Sequence, residues 1–296
     1  MKKYFKYLAS LAIIATTVSC TDVVQVKLDD GSKLYVIDAF INNMRADQKV
    51  RVVSNSNYFS ASEPDPITNA SVVLRDLTTG KSYNFSYTSN GYYVYPVNVN
   101  DTISRVNHQY QLDVTIGGAV YSSVMTQKRP AIMDTIISQK NQPGGFGPPA
   151  SDTTTSYSCV LTAYDIVDPN TDYYWIKTYR NDTLFNAPSD INTCVDGTGG
   201  PVTSASRDTL EFSEPAILLG FKSYRAYNTC KVEIHSITKE TYFFFVQAFN
   251  QINNAGLFAT TPENTKTNFV SPKDAKTKAV GWFSMASVVS QKIVVK

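Results

Sequence analysis

Two-residue alternation in short runs is the feature that most limits what this chain can become. Tyr110, Leu112, Val114 and Ile116 share one face of an extended segment, because successive strand side chains point to opposite sides of a sheet. Ala70, Val72 and Leu74 repeat the pattern. Between such runs stand residues that tolerate left-handed backbone. Asn90-Gly91 is a two-residue hairpin signal joining 83–87 to 92–95, and Gly117-Gly118 turns the chain into 119–126. Residues 34–41 and 50–53 are also strand-like, whereas Glu63-Pro64-Asp65-Pro66 cannot pair in a ladder and reads as a loop. Short strands separated by turns predict a β-sandwich over 33–130, of immunoglobulin- or transthyretin-like type.

The second half is also β-rich. Residues 131–155 read as a linker, with a crossing strand at 131–137 and a Pro/Gly loop at 142–149. A second β domain is expected over 156–296, with strands at 156–166, 173–179, 209–212 and 231–237 and a small-residue loop at 193–206. One α-helix stands out at about 239–253. Thr238 can cap it, Tyr242, Phe245, Val246, Phe249 and Ile252 recur at helical spacing, and Gly256 would end it. Residues 280–286 and 292–295 read as closing strands of this second domain. The fold class expected is therefore all-β (mainly β) with one helix.

The N-terminus speaks to location. Lys2, Lys3 and Lys6 precede a short apolar run at 8–14. That run is too short to span a bilayer, which favours a cleaved signal over a transmembrane helix. Thr17-Val18-Ser19-Cys20 looks like a bacterial lipobox, with Thr17 where Leu is usual. Residues 1–20 are thus expected to be a lipoprotein signal peptide, Cys20 the lipid attachment site, and 21–32 a polar tether. Each buried acyl methylene contributes about 0.8 kcal/mol, so several chains anchor firmly. The expected location is the outer membrane, at its periplasmic face or at the cell surface.

Composition excludes some partners. The 296 residues carry a formal net charge of +2, and the signal lysines account for it. No basic cluster is interleaved with aromatics, which argues against nucleic acid. Tyr (19) and Phe (15) are abundant, as suits sheets whose rings pack while hydroxyls meet water. With Cys20 acylated, Cys159, Cys194 and Cys230 remain, an odd number. Export permits a disulfide. Cys194 with Cys230 is the pairing expected, and Cys159 reads as a buried strand residue.

Catalytic signals are sparse. His108 and His235 are the chain's two histidines, too few for a histidine metal cluster, and each reads as a surface residue rather than a base. Ser236-Ile237-Thr238-Lys239 fits Ser-x-x-Lys, but the partner motifs of that nucleophile are missing. Asp168-Pro169-Asn170-Thr171-Asp172 offers alternate oxygens as a calcium loop does, yet Tyr173 replaces the expected Gly, and a strand-connecting turn is the stronger reading. No cofactor, metal or enzymatic activity is expected.

Several spaced segments together resemble a Bacteroidetes lipoprotein family known only as domain of unknown function 4249. They are Pro66-Ile67-Thr68-Asn69-Ala70-Ser71-Val72, Gly91-Tyr92-Tyr93, Tyr110-Gln111-Leu112-Asp113-Val114, and Pro130 with Asp134 in the first half. In the second half they are Asp168-Pro169, Tyr173-Tyr174, the start of the helix at 236–245, Pro262 and Gly281-Trp282-Phe283. Asn107 stands where the family often has Gly, a mild departure because Asn tolerates left-handed backbone. The resemblance implies an outer-membrane lipoprotein, often encoded beside TonB-dependent receptors, and supplies no catalytic residues. The Asp-Thr-apolar triplets at Thr102, Thr135, Thr153, Thr183 and Thr209 are similar to the O-glycosylation signal of exported Bacteroidetes proteins. A Thr-rich composition would yield one or two of them by chance.

The functional expectation is a non-catalytic, lipid-anchored accessory protein that binds a ligand or partner for a TonB-dependent uptake system. One alternative is a carbohydrate-binding module using Tyr92, Tyr93, Tyr173, Tyr174, Trp175 or Trp282 as stacking platforms. Another is a structural or adhesive surface protein.

Overall fold

A computed structural model describes residues 32–56, 62–96, 103–141, 156–166, 170–196, 208–212, 222–254 and 265–296. The signal peptide, Cys20, most of the tether, Thr102, Thr153, Asp168 and Gly256 lie outside the described residues. The described part is mainly β, with one α-helix.

The first half builds the predicted strands in the predicted places. β1 (Leu34–Asn42) pairs antiparallel with β2 (Gln48–Ser54). Next come β3 (Ser71–Asp76), β4 (Ser82–Tyr87), β5 (Tyr92–Tyr95), β6 (Gln109–Ile116) and β7 (Ala119–Thr126). β4 serves two ladders. Its Ser82 to Phe85 pair with β3, and its Ser86 and Tyr87 pair with β5, which continues to β2. The other ladder runs β4-β3-β6-β7. The alternation explains the core: Val72, Leu74, Leu112 and Val114 from one ladder meet Ile37, Val50 and Val52 from the other, all buried. At the hairpins, Asn90 and Gly91 have φ of 50° and 80°, which the Asn-Gly signal anticipates.

The second half repeats this plan. Its strands are β8 (Ile132–Lys140), β9 (Tyr157–Asp165), β10 (Tyr173–Arg180), β11 (Thr183–Leu184), β12 (Asn192–Asp196), β13 (Asp208–Phe212), β14 (Thr229–Ile237) and β15 (Lys278–Val294). One ladder runs β8-β9-β13 and another β12-β10-β14-β15, with β13 joining them at a corner. Leu161 and Cys159 of β9 share a core with Ile176 of β10 and Cys230, Val232 and Ile234 of β14. The helix α1 (Lys239–Ile252) follows β14 directly. Thr238 accepts a hydrogen bond from the Thr241 backbone N–H at 3.4 Å, as its capping role requires.

The crossing strand expected at 131–137 is β8, which runs on to Lys140 and pairs along β9. Two expectations need correction. Cys194 is not in a loop: it lies in β12, opposite Phe212 and Tyr174. This rules out the Cys194–Cys230 disulfide. β10 separates their strands, and Cys194 faces Tyr174 whereas Cys230 faces Arg180. Six strand residues correspond to roughly 20 Å, far beyond the ~7 Å Cα limit of a disulfide. Finally, 280–286 and 292–295 are parts of one long strand, and it does not stay inside the second half.

That strand joins the halves. Lys278 to Ala286 of β15 pair in parallel with β1, and Ser287 to Val294 pair antiparallel with β14. Residues 33–296 accordingly form one compact unit rather than two separate ones. The parallel ladder demands a glycine. Gly281 has φ +104°, and a Cβ there would lie 2.2 Å from the Ile37 carbonyl oxygen. Both conditions exclude a side chain.

Buried charge is managed by pairing. Glu233 accepts hydrogen bonds from Tyr179 (2.9 Å) and Lys231 (2.8 Å) and lies 3.1 Å from His235 Nε2. Burial alone would push the Glu233 carboxyl up, but the hydrogen bonds from His235, Lys231 and Tyr179 outweigh it and hold it at about 2. Burial pushes the His235 imidazole down to about 4, against the opposing hydrogen bond of Glu233. Between the halves, Arg129 reaches Asp165 at 3.3 Å and Asp172 at 2.8 Å, so the segment leaving β7 is held by two buried carboxylates.

Gly281→Ala is expected to cost about 3 kcal/mol or more, from strained backbone plus collision with β1. Urea unfolding measures it, and a loss below about 1 kcal/mol would contradict the close approach. A second outcome concerns pH. Unfolded histidine takes up its proton near 6.5, folded His235 only near 4. The unfolded state therefore binds the extra proton in this window, and stability falls as pH drops from 6.5 towards 4, by up to about 3 kcal/mol. Glu233 extends the loss from 4.5 towards 2. In His235→Gln the upper part of this slope should vanish from a plot of Tm against pH; an unchanged slope would refute the assignment.

Candidate functional site

An open groove of about 1750 Å³ lies beside α1. The helix creates it by having two useful faces. Thr241 and Phe245 are buried. Phe245 stacks on Phe40 with centroids 5.6 Å apart and packs on Trp175 at 4.5 Å. Thr241 Oγ1 accepts the indole N–H of Trp282 at 3.0 Å. With that face fixed, Lys239, Phe243, Gln247 and Asn250 follow one another at helical spacing along the open face and line the groove.

Trp282 forms its floor, stacked on Phe244 at 4.6 Å and 16°. One wall holds Tyr173, whose ring lies 5.0 Å from Tyr242 and 6.5 Å from Phe243. The opposite wall is Val124, Thr126 and Lys128 from the end of β7 with residues 266–268. The 266–268 segment is pinned on both sides of Trp282. Thr267 Oγ1 donates to the Gly281 carbonyl at 2.9 Å, and the Asn268 side chain exchanges two hydrogen bonds with the Phe283 backbone at 2.7 and 2.9 Å. The Lys266 N–H donates to Gln247 Oε1 at 3.1 Å, which ties that wall to the helix.

The groove is mixed in character. Phe243 is 53% exposed and Val124 46% exposed, an apolar pair at a surface otherwise rich in amides and hydroxyls. Lys128, Lys239 and Lys266 make it cationic, and Glu240 is its carboxylate among the described lining residues. The described lining offers aromatic faces, amide donors and acceptors, and positive charge, which suit recognition.

The residues singled out in the sequence fall into distinct places. His108 Nδ1 lies 2.8 Å from Asp76 Oδ2, and its ring stacks on Tyr110. His235 is buried against Glu233 rather than at the surface, because β14 is an inner strand between β10 and β15 and the Trp175 ring packs on the imidazole at 5.1 Å. Buried Ser236 accepts the Ala131 N–H at 3.1 Å, a structural tie between the halves, while Lys239 is exposed at the helix start. Asp172 is committed to Lys128 and Arg129. Among the described residues no group of three or more His, Cys, Asp or Glu could hold a metal.

Of the aromatic platforms, Tyr93 and Tyr174 are buried. Tyr93 Oη donates to the Ile67 carbonyl and accepts from the Ala70 N–H, each at 2.8 Å, and Tyr174 hydrogen-bonds Asp165. Trp175 is covered by Phe245 and by Lys177 at 4.1 Å, and the Arg51 guanidinium lies over Tyr92 at 5.3 Å. Only Tyr173 and Trp282 of that set line the groove. Phe243, Phe244, Gln247 and Asn250 were missed, although three consecutive phenylalanines at 243–245 already exceed what one buried helix face can hold. Of the Asp-Thr triplets, Thr183 is exposed just after Asn181 and Asp182, both with positive φ. Thr135 is half-buried beside the bulge in β8, and Thr209 lies in β13 opposite Tyr164.

No curated protein matches the chain. Among solved structures, one described as "Structural insight into host cell surface retention of a 1.5-MDa bacterial ice-binding adhesin" is similar at 12% identity with a TM-score of 0.18, over 91% of this chain and 66% of that one. A score so low carries no argument about fold or role. The family comparison is decisive instead. The pattern of the family described as "Domain of unknown function (DUF4249)" matches residues 21–292, which takes in every strand of both halves as far as β15, and the chain belongs to that family.

Proposed function

We propose that this protein is a non-catalytic lipoprotein of the outer membrane that uses the groove beside α1 to bind a ligand or partner for a TonB-dependent uptake system. The observation that carries the reading is the groove itself: an open, cationic channel with aromatic and amide walls, built on a helix whose other face is locked into the core. The lipobox at Cys20 supports the anchoring, and the resemblance to a Bacteroidetes lipoprotein family supports the receptor context. A second reading, sugar binding, is favoured by one detail. Tyr173 and Phe243 present rings beside Gln247 and Asn250, and flat apolar faces next to amides suit pyranose rings. Among the described threonines of these triplets, exposed Thr183 is accessible for O-glycosylation, which intact-mass measurement of native protein would detect as added hexose.

Cys20→Ala is expected to release the protein from the membrane fraction and to abolish incorporation of labelled fatty acid; persistence of either would remove the anchor. For the groove, Phe243→Asp with Asn250→Ala should leave Tm within about 2 °C, since both side chains are exposed and surface changes cost little. The same variant should recover at least about tenfold less TonB-dependent receptor when tagged protein is captured from gently solubilised membranes, as loss of a central aromatic contact predicts. Equal recovery would place the partner elsewhere, and recovery of neither form with a receptor would turn attention to glycan arrays.

A further inference from the structure

The second sandwich holds two thiols from opposite ladders in one core. Cys159 lies on β9 and Cys230 on β14, and both are fully buried. The strands are brought together by Tyr224. Its backbone exchanges two hydrogen bonds of 2.9 Å with Tyr157, two residues before Cys159. Its hydroxyl lies 3.4 Å from Cys230 Sγ. Cys159, Tyr224 and Cys230 belong to one buried core cluster. Cys194 is buried in the same core but on β12, opposite Tyr174 and six residues along β10 from the Arg180 position that Cys230 faces. We propose that Cys159 and Cys230 close into a disulfide bridging the two ladders of the second sandwich, with Cys194 left as the free thiol. The proposal rests on the export reading above for its oxidising surroundings.

The chemistry balances against a disulfide-bearing thiol oxidoreductase as oxidant. In the open chain either thiol can attack first; when Cys230 does, it first loses its proton to solvent. The Cys230 thiolate attacks one sulfur of the oxidant's disulfide, forming a mixed disulfide and expelling one oxidant thiolate. Cys159 then loses its proton to solvent and attacks the Cys230 sulfur, and the second oxidant thiolate leaves. Two protein thiols are oxidised and one oxidant disulfide is reduced to a dithiol. Burial places this step before the sandwich closes, during folding after export.

The test uses the full chain isolated from cell envelopes, denatured in an alkylating agent without reductant and then digested. The expected map shows alkylated Cys194 and one cross-linked peptide pair carrying Cys159 and Cys230. Three alkylated thiols, or a cross-link that includes Cys194, overturns the proposal. Should the chain be recovered from the cytoplasm instead, the export reading fails by itself. The pair is then tested by refolding denatured, reduced chain in glutathione redox buffers, where closure of Cys159 with Cys230 supports it and its absence overturns it. Reductant should lower the Tm of the wild type and of Cys194→Ala alike by roughly 10 °C, as expected for opening a loop of this length. It should not shift the Tm of Cys159→Ala with Cys230→Ala. If that double variant does not fold, the alkylation map still decides.

Discussion

β15 is the element on which both halves depend. Its first nine residues complete the ladder of β1, and its next eight complete the ladder of β14. A parallel pair cannot be made by a hairpin, so the chain must traverse both sandwiches before the β1–β15 ladder can form. The ladder also tolerates no side chain at Gly281, where the β1 carbonyl of Ile37 approaches to within van der Waals contact of the backbone. One strand thus converts two sandwich-like modules into a single unit, and the glycine is the condition for it.

The groove follows from that arrangement. Gly281 is adjacent to Trp282, and the backbone positions on either side of the indole are claimed by Thr267 and Asn268. Trp282 is therefore held between a strand that spans the halves and a helix that packs by Thr241 and Phe245. β7 supplies the far wall from the first sandwich, and α1 with Tyr173 supplies the near wall from the second. A binding surface at such a junction inherits rigidity from both cores. Arg129, with Asp165 and Asp172, and the Ser236–Ala131 hydrogen bond fix the same junction from beneath. These buried ion pairs serve position more than net stability, because desolvation offsets much of their attraction.

The titratable residues illustrate how burial separates chemistry from structure. His235, with a carboxylate neighbour, has the partners expected of a catalytic base. It is instead sealed beneath Trp175, with an imidazole kept neutral by burial and a carboxylate satisfied three times over. A base must reach a substrate proton, and this one reaches none. The groove, by contrast, holds exposed cations and amides without a paired acid in its described lining.

Strand positions, hairpins and the capped helix were legible from sequence because they follow local periodicity and turn chemistry: Tyr110 to Ile116, Asn90-Gly91 and Thr238 each carry their own signal. The likeness to the family also followed from ordered local segments. What local pattern cannot carry is which strands meet across the chain. Residues 280–286 and 292–295 looked like separate strands because Ser287 and Ser290 break the apolar run, yet buried Ser287 donates to the Lys128 carbonyl at the point where β15 changes partners. Cys194 looked loop-like from its small neighbours and was paired with Cys230, because spacing says nothing about which side of β10 a strand occupies. The groove was invisible for the same reason. Phe243 becomes exposed only once Thr241 and Phe245 have been claimed by Trp282 and Phe40, and those claims are made by tertiary packing alone.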